Sequence, residues 1–205
     1  MSIASGGNSD GKPKRRRRTP DEARREAVTS ARRMLIHGGP TAVTLKAVGD
    51  DIGVTHANLI HHFGSAAGLQ AALMGSMVRD LTDALAAAVT HLRSDAGAPR
   101  MLVDEVFDAF DQGGAARLAA WIVMSGDIEH LEPVRAAVRD LVEALDKKFA
   151  QGGDTNRRRI TAAVLFISLC AFGDAIVGPP LRHMLEREDD SARKIVSRLL
   201  STLLF

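Results

Sequence analysis

The chain has no tyrosine, one tryptophan and one cysteine in 205 residues. A single thiol, Cys170, cannot close an internal disulfide, which predicts a fold held by its core and favours a reducing, cytoplasmic setting. No apolar segment follows the basic residues near the N-terminus, so no secretory leader is expected. Long hydrophobic runs are also missing. The best candidate, residues 160–173, holds 14 residues between Arg157-Arg158-Arg159 and Asp174. A spanning helix needs roughly 18 or more, so this segment reads as a buried helix and no membrane partner is predicted. Alternating strand patterns and repeats of fixed period are absent. So are a Gly-x-Gly-x-x-Gly turn, a phosphate loop, a Ser-His-Asp set at recognisable spacing and a metal-ligand cluster. These absences weigh against an enzyme and imply no cofactor and no metal.

What is present is a helical, globular composition, 45% hydrophobic and 25% charged. The charge is uneven. Residues 1–65 hold 11 Lys and Arg against 6 Asp and Glu, a net +5, and the rest hold 16 against 19, a net −3. A basic head suited to a polyanion precedes a mildly acidic body. Residues 1–18 read as a disordered arm, small and polar to Gly11, then basic through Lys12, Lys14, Arg15, Arg16, Arg17 and Arg18. Such an arm is either a solvated tail or a strap that lies on DNA phosphate or in a minor groove.

Thr19, Pro20 and Glu22 form the capping-box start of a first helix, whose inner stripe is Ala27, Ala31 and Leu35 and whose end is Gly38-Gly39-Pro40. Arg24, Arg25, Arg32 and Arg33 fall outside that stripe. Thr44 caps a short helix with Leu45, Val48 and Ile52 inside. Gly53 breaks it, and Thr55 caps a second short helix with Leu59, Ile60 and Phe63 turned inward. Helix, short helix, glycine turn, short helix is the helix-turn-helix order. The start of the last of these would enter a major groove, where Thr55, His56 and Asn58 can meet base edges: Asn pairs bidentately with adenine, and Thr reaches a base or a thymine methyl. Thr44 at a helix start suits phosphate, with Lys46 beside it and His61 on the groove side. His56, His61 and His62 lack the i, i+4 spacing of helical metal ligands; His62 is expected to pack near Phe63.

Residues 24–74, and above all Thr44 to Ser65 with Gly53-Val54-Thr55 and His62-Phe63-x-Ser65, resemble the DNA-binding domain of the TetR family of transcriptional regulators. The resemblance covers about a quarter of the chain. It implies an all-α fold: a three-helix, homeodomain-like helix-turn-helix domain over 19–65, then a helical ligand-binding and dimerisation domain over 66–205. It further implies a homodimer on a palindromic double-stranded DNA operator, usually repressing, and released by a small-molecule inducer. Two departures stand out. Ile60 replaces a tyrosine that usually touches phosphate, and Ala66 replaces a common lysine. The arm, Lys14 to Arg18, is expected to make up part of the lost affinity.

The body reads as long helices divided by Gly113-Gly114, Gly152-Gly153 and Gly178-Pro179-Pro180. By the family layout the last two helices form the dimer interface, through Ile160, Val164, Ile167 and Ala171 on one and Leu199, Leu200 and Leu203 on the other. An inducer pocket is expected among Met77, Met101, Phe107, Phe110, Trp121 and Met124, taking a mostly apolar ligand. Gly75, inside the fourth helix, serves either close packing or bending, and packing is preferred. The competing functions are a sequence-blind architectural DNA protein and, more remotely, an all-α enzyme.

Overall fold

A computed structural model describes residues 19–91, 98–126, 132–148 and 153–204. The arm therefore lies outside the described residues, with Lys14, Arg15, Arg16, Arg17 and Arg18. Among the described residues all regular structure is helical: α1 (Pro20–Gly38), a 3-10 turn at Pro40–Ala42, α2 (Leu45–Ile52), α3 (His56–Phe63), α4 (Ala66–His91), α5 (Ala98–Phe110), α6 (Ala115–Ser125), α7 (Glu132–Lys148), α8 (Gly153–Met184) and α9 (Ser191–Leu204).

The starts of the first three helices follow from side-chain caps. Thr19 accepts from the Glu22 amide at 3.2 Å while Glu22 accepts from the Thr19 amide at 2.8 Å, closing a reciprocal capping box. Thr44 caps the Ala47 amide at 3.1 Å and Thr55 the Asn58 amide at 3.3 Å. Gly53 closes α2 in the left-handed region (φ 67°), which costs glycine little. Four residues earlier, a Cβ on Gly49 would stand 2.9 Å from the Val54 carbonyl oxygen. The turn between α2 and α3 is tight because both positions are glycine.

Two cores organise the chain. The first joins Ala27, Ala31 and Leu35 of α1 and the inward residues of α2 and α3 to Leu69, Ala72 and Leu73 of α4 and to Leu118 and Ile122 of α6. The second joins Leu85 of α4 to α5, α7, α8 and α9. Helix α4 belongs to both, so the head is packed against the body rather than hung from it. Gln70, almost fully buried, donates from Nε2 to the Val43 carbonyl at 3.2 Å and fastens α4 to the segment before α2.

Helix α8 departs from the sequence expectation. Gly178-Pro179-Pro180 does not close it; the helix runs through both prolines to Met184. Each proline removes one backbone donor, yet the helical path holds beside an ion pair between Asp174 and Arg182 that spans the break. A Cβ at 178 would collide with Asp174 Oδ1, so glycine leaves the room this pair occupies. The extension also makes Asn156–Met184 long and apolar enough, by length and composition, to cross a membrane. Along one side, however, Ala163, Ile167 and Ala171 are buried in the chain's own second core, and Ile160, also buried, lines the apolar cavity beside it.

That burial turns most of the interface stripe expected from sequence toward the chain's own core. Ile160, Ile167 and Ala171, with Leu200 of α9, are at most 5% exposed and face their own chain, and half-buried Val164 lines an internal cavity. Leu199 is half exposed, and the Leu203 side chain lies outside the described residues. The outward face of α8 carries Leu165, Leu169, Ile176, Leu181 and Met184 instead.

The expected pocket is not assembled either. Met101, Trp121 and Met124 are exposed, Met124 to 86%. Phe107 is core, and Phe110 and Met77 pack on the core clusters. The apolar cavity lies deeper, between α4, α5, α7 and α8, with Leu81, Leu102, Val106, Leu141, Leu145 and Val164 among its walls and a volume of about 50 Å³.

Candidate nucleic-acid interface

Helix α3 has a strict inside and outside. Leu59 and Phe63 are buried, and His62, half-buried, meets the Phe63 ring edge-on with centroids 6.3 Å apart. His56, Ala57, Asn58, Ile60 and His61 are exposed. The inward residues lock the rotation of the helix, so one polar edge is presented to solvent. Ile60, expected inside, is 40% exposed, because Leu59 and Phe63 already fill the inner arc.

The chemistry of that edge suits a duplex. The Thr55 oxygen accepts the Asn58 amide, which leaves the hydroxyl proton to donate outward. Asn58 offers both an acceptor and a donor, and His61 stands in the same groove, beside Gly53, Val54 and Thr19. Thr44 repeats the arrangement at the start of α2: its oxygen is used in the cap, its proton is free, and the first amides of the helix point outward with the favourable end of the dipole. Lys46 is exposed but paired with Asp50 at 2.8 Å. That bond holds the ammonium above its ordinary pKa, and so exposed a pair is weak enough to be exchanged for a phosphate. Thr19, where the basic arm joins the fold, lines the groove with Thr55, Asn58 and His61.

Sequence reasoning missed the residues that brace this edge. Arg24 donates from Nη1 to the His62 carbonyl at 2.7 Å and lies over the Phe63 ring, 4.8 Å from its centroid, so α1 caps the end of α3. Ser30, 1% exposed, donates to Asp51 at 2.6 Å, and Arg33 pairs with the same carboxylate at 2.5 Å, joining α1 to α2. The Ser30 hydroxyl, with the Arg33 charge behind it, holds Asp51 below the ordinary aspartate value of 3.8. A usable signal was the placement of Arg24 and Arg33 off the apolar stripe of α1. Among the described residues no group of three or more His, Cys, Asp or Glu could hold a metal ion.

Comparison with known proteins agrees with this geometry. The sequence model of the bacterial regulatory proteins of the tetR family matches residues 28–73. No curated protein matches the sequence. Among solved structures, the multidrug binding protein EbrR complexed with ethidium superposes with a TM-score of 0.62 at 17% identity, over 89% of this chain and 98% of that one. A TetR-family transcriptional regulator from Mesorhizobium loti has a TM-score of 0.49 at 15% identity, over 92% and 96% of the two chains. The ketosteroid transcriptional regulator KstR2 of Mycobacterium tuberculosis has 0.44 at 15%, over 88% and 92%.

Proposed function

Since residues 28–73 carry the DNA-binding module of the tetR-family regulators, we propose that this protein is a cytoplasmic, non-enzymatic transcriptional repressor that binds a palindromic operator as a homodimer and is released by a small, mostly apolar ligand. The observation that carries the reading is the exposed edge of α3. Thr55, His56, Asn58 and His61 stand outside a helix whose other face is locked by Leu59 and Phe63, and Thr44 and Lys46 flank them for phosphate. A sequence-blind architectural protein would have little use for so specific a set of donors and acceptors.

A dimer is supported by the outward face of α8. Leu165, Leu169 and Met184 are each more than 60% exposed and continue through Ile176 and Leu181, with Ile195 and Leu199 of α9 alongside. A run of this kind on a globular chain calls for a cover. A second copy placed about a two-fold axis would supply one and would present an α3 helix to each half of a palindrome. The apolar cavity supports ligand release. At about 50 Å³ it is far below the roughly 300 Å³ of an ordinary ligand site. A ligand there would have to part α4, α7 and α8, and α4 carries that movement to the head. EbrR, of like fold, holds ethidium.

Footprinting the purified protein on fragments of its own genome is the direct test. Protection of an inverted repeat, with affinity at least a thousandfold above random duplex, is expected; equal affinity for every fragment would return the architectural reading. The arm is tested on the same fragments. Removing residues 1–18 should weaken binding to all sequences and flatten log K against log salt, and an unchanged slope would take the arm off the DNA.

A further inference from the structure

A second cleft, apart from both the α3 edge and the apolar cavity, lies between α1, the middle of α4 and the start of α7, with a volume of about 470 Å³. Its walls carry four guanidinium groups, Arg24, Arg25, Arg32 and Arg79, against one carboxylate, Asp80. Arg32 Nη2 is buried and pairs with Asp80 Oδ2 at 2.5 Å. Arg25 and Arg79 enter no ion pair with another described residue. Val28 and Ala72 make an apolar floor. Like charges are thus gathered in a concave site of small-ligand size, four guanidinium groups against one carboxylate.

We propose that this cleft binds a small phosphorylated ligand, its phosphate oxygens held by Arg25 and Arg79 and its organic part on Val28 and Ala72. Guanidinium forks match phosphate oxygens bidentately, which an ammonium cannot do. The site joins a helix of the head to two of the body. Its Arg24 wall is the same side chain that caps α3 through the His62 carbonyl, so an occupant bears on the pose of the DNA-reading helix.

Phosphate reaches such a site either on a free small molecule or on a DNA backbone. The test uses the full chain and inorganic pyrophosphate, titrated calorimetrically at ionic strength held constant with sodium chloride. Saturable binding of one pyrophosphate per chain is expected, weakened at least tenfold in Arg25→Gln/Arg79→Gln and unchanged in Arg198→Gln, whose guanidinium is exposed on α9. Arg79→Gln alone, at an exposed position, serves if the double variant does not fold, and should weaken binding at least threefold. Absence of saturation, or equal weakening in Arg198→Gln, overturns the site. Affinity for a random 40-base-pair duplex without pyrophosphate separates the two sources. It should be unchanged in the variants; a loss parallel to the pyrophosphate loss would assign these arginines to the DNA backbone and overturn the proposal.

Discussion

Replacing Gly75 by alanine sets two opposed magnitudes against each other. On an isolated helix the change would stabilise by about 1 kcal/mol, since glycine loses more backbone freedom than alanine. Here an added Cβ would stand 2.6 Å from the Pro133 carbonyl oxygen and 2.9 Å from its carbon, where ordinary contacts begin at 3.4 Å. The obstacle is backbone at the start of α7, not the tip of a flexible side chain. The two helices must part by nearly an ångström, and overpacking of that kind costs about 1–3 kcal/mol. The expected net effect is a loss of about 1 kcal/mol, or about 2–4 °C in Tm for a chain of this size. Urea unfolding followed by circular dichroism, together with a thermal scan, measures it. A variant more stable than the parent by the full helix-propensity gain would show that α4 and α7 have room between them, and would restore bending as the reason for glycine.

Three further outcomes are expected. Asn58→Ala should cost about 1–3 kcal/mol of operator binding, about 5- to 150-fold in Kd, with little change for random duplex; a uniform loss on both would make Asn58 a backbone contact. Leu169→Asp should turn the proposed dimer into monomer by light scattering: losing a leucine that the proposed interface would cover on both copies removes about 3–6 kcal/mol, a hundredfold or more in Kd, and a persisting dimer would move the interface elsewhere. Because Asp51 titrates below 3.8 in the fold, its bonds to Ser30 and Arg33 contribute fully above that value and are lost as pH falls through the lower folded value. Asp51→Asn should therefore lower stability at pH 7 and flatten its fall below about pH 4; an unaltered acid limb would show that other carboxylates control it.

The head was legible in the sequence because its signals are local. Thr19, Thr44 and Thr55 announce helix starts by side-chain chemistry acting within three residues, and Gly53 announces a turn by its permitted dihedrals. The body was less legible because its signals are not local. Helix α8 is apolar nearly all round, so periodicity could not tell the stripe of Ile160 and Ile167, which faces in, from that of Leu165 and Leu169, which faces out. Two prolines read as a stop, yet the ion pair bridging them joins residues eight apart, Asp174 and Arg182. Trp121 and Met124, expected to wall a pocket inside the body, lie outside. Arg24 showed as a surface charge and is in fact a cap on another helix, a relation that exists only once α1 crosses α3.

The sharing of α4 and α6 between head and body limits how such a chain can be recombined. Leu35 of α1 lies 3.3 Å from where a Cβ on Gly114, just ahead of α6, would stand, and Leu118 and Ile122 complete the core beneath the DNA-reading helices. A reading head grafted from this chain onto a foreign scaffold would bring half of a jigsaw. The graft holds its shape only if the host supplies a matching α6 and the first three turns of α4, so these regulators would exchange specificity by point changes on the α3 edge more readily than by swapping cassettes.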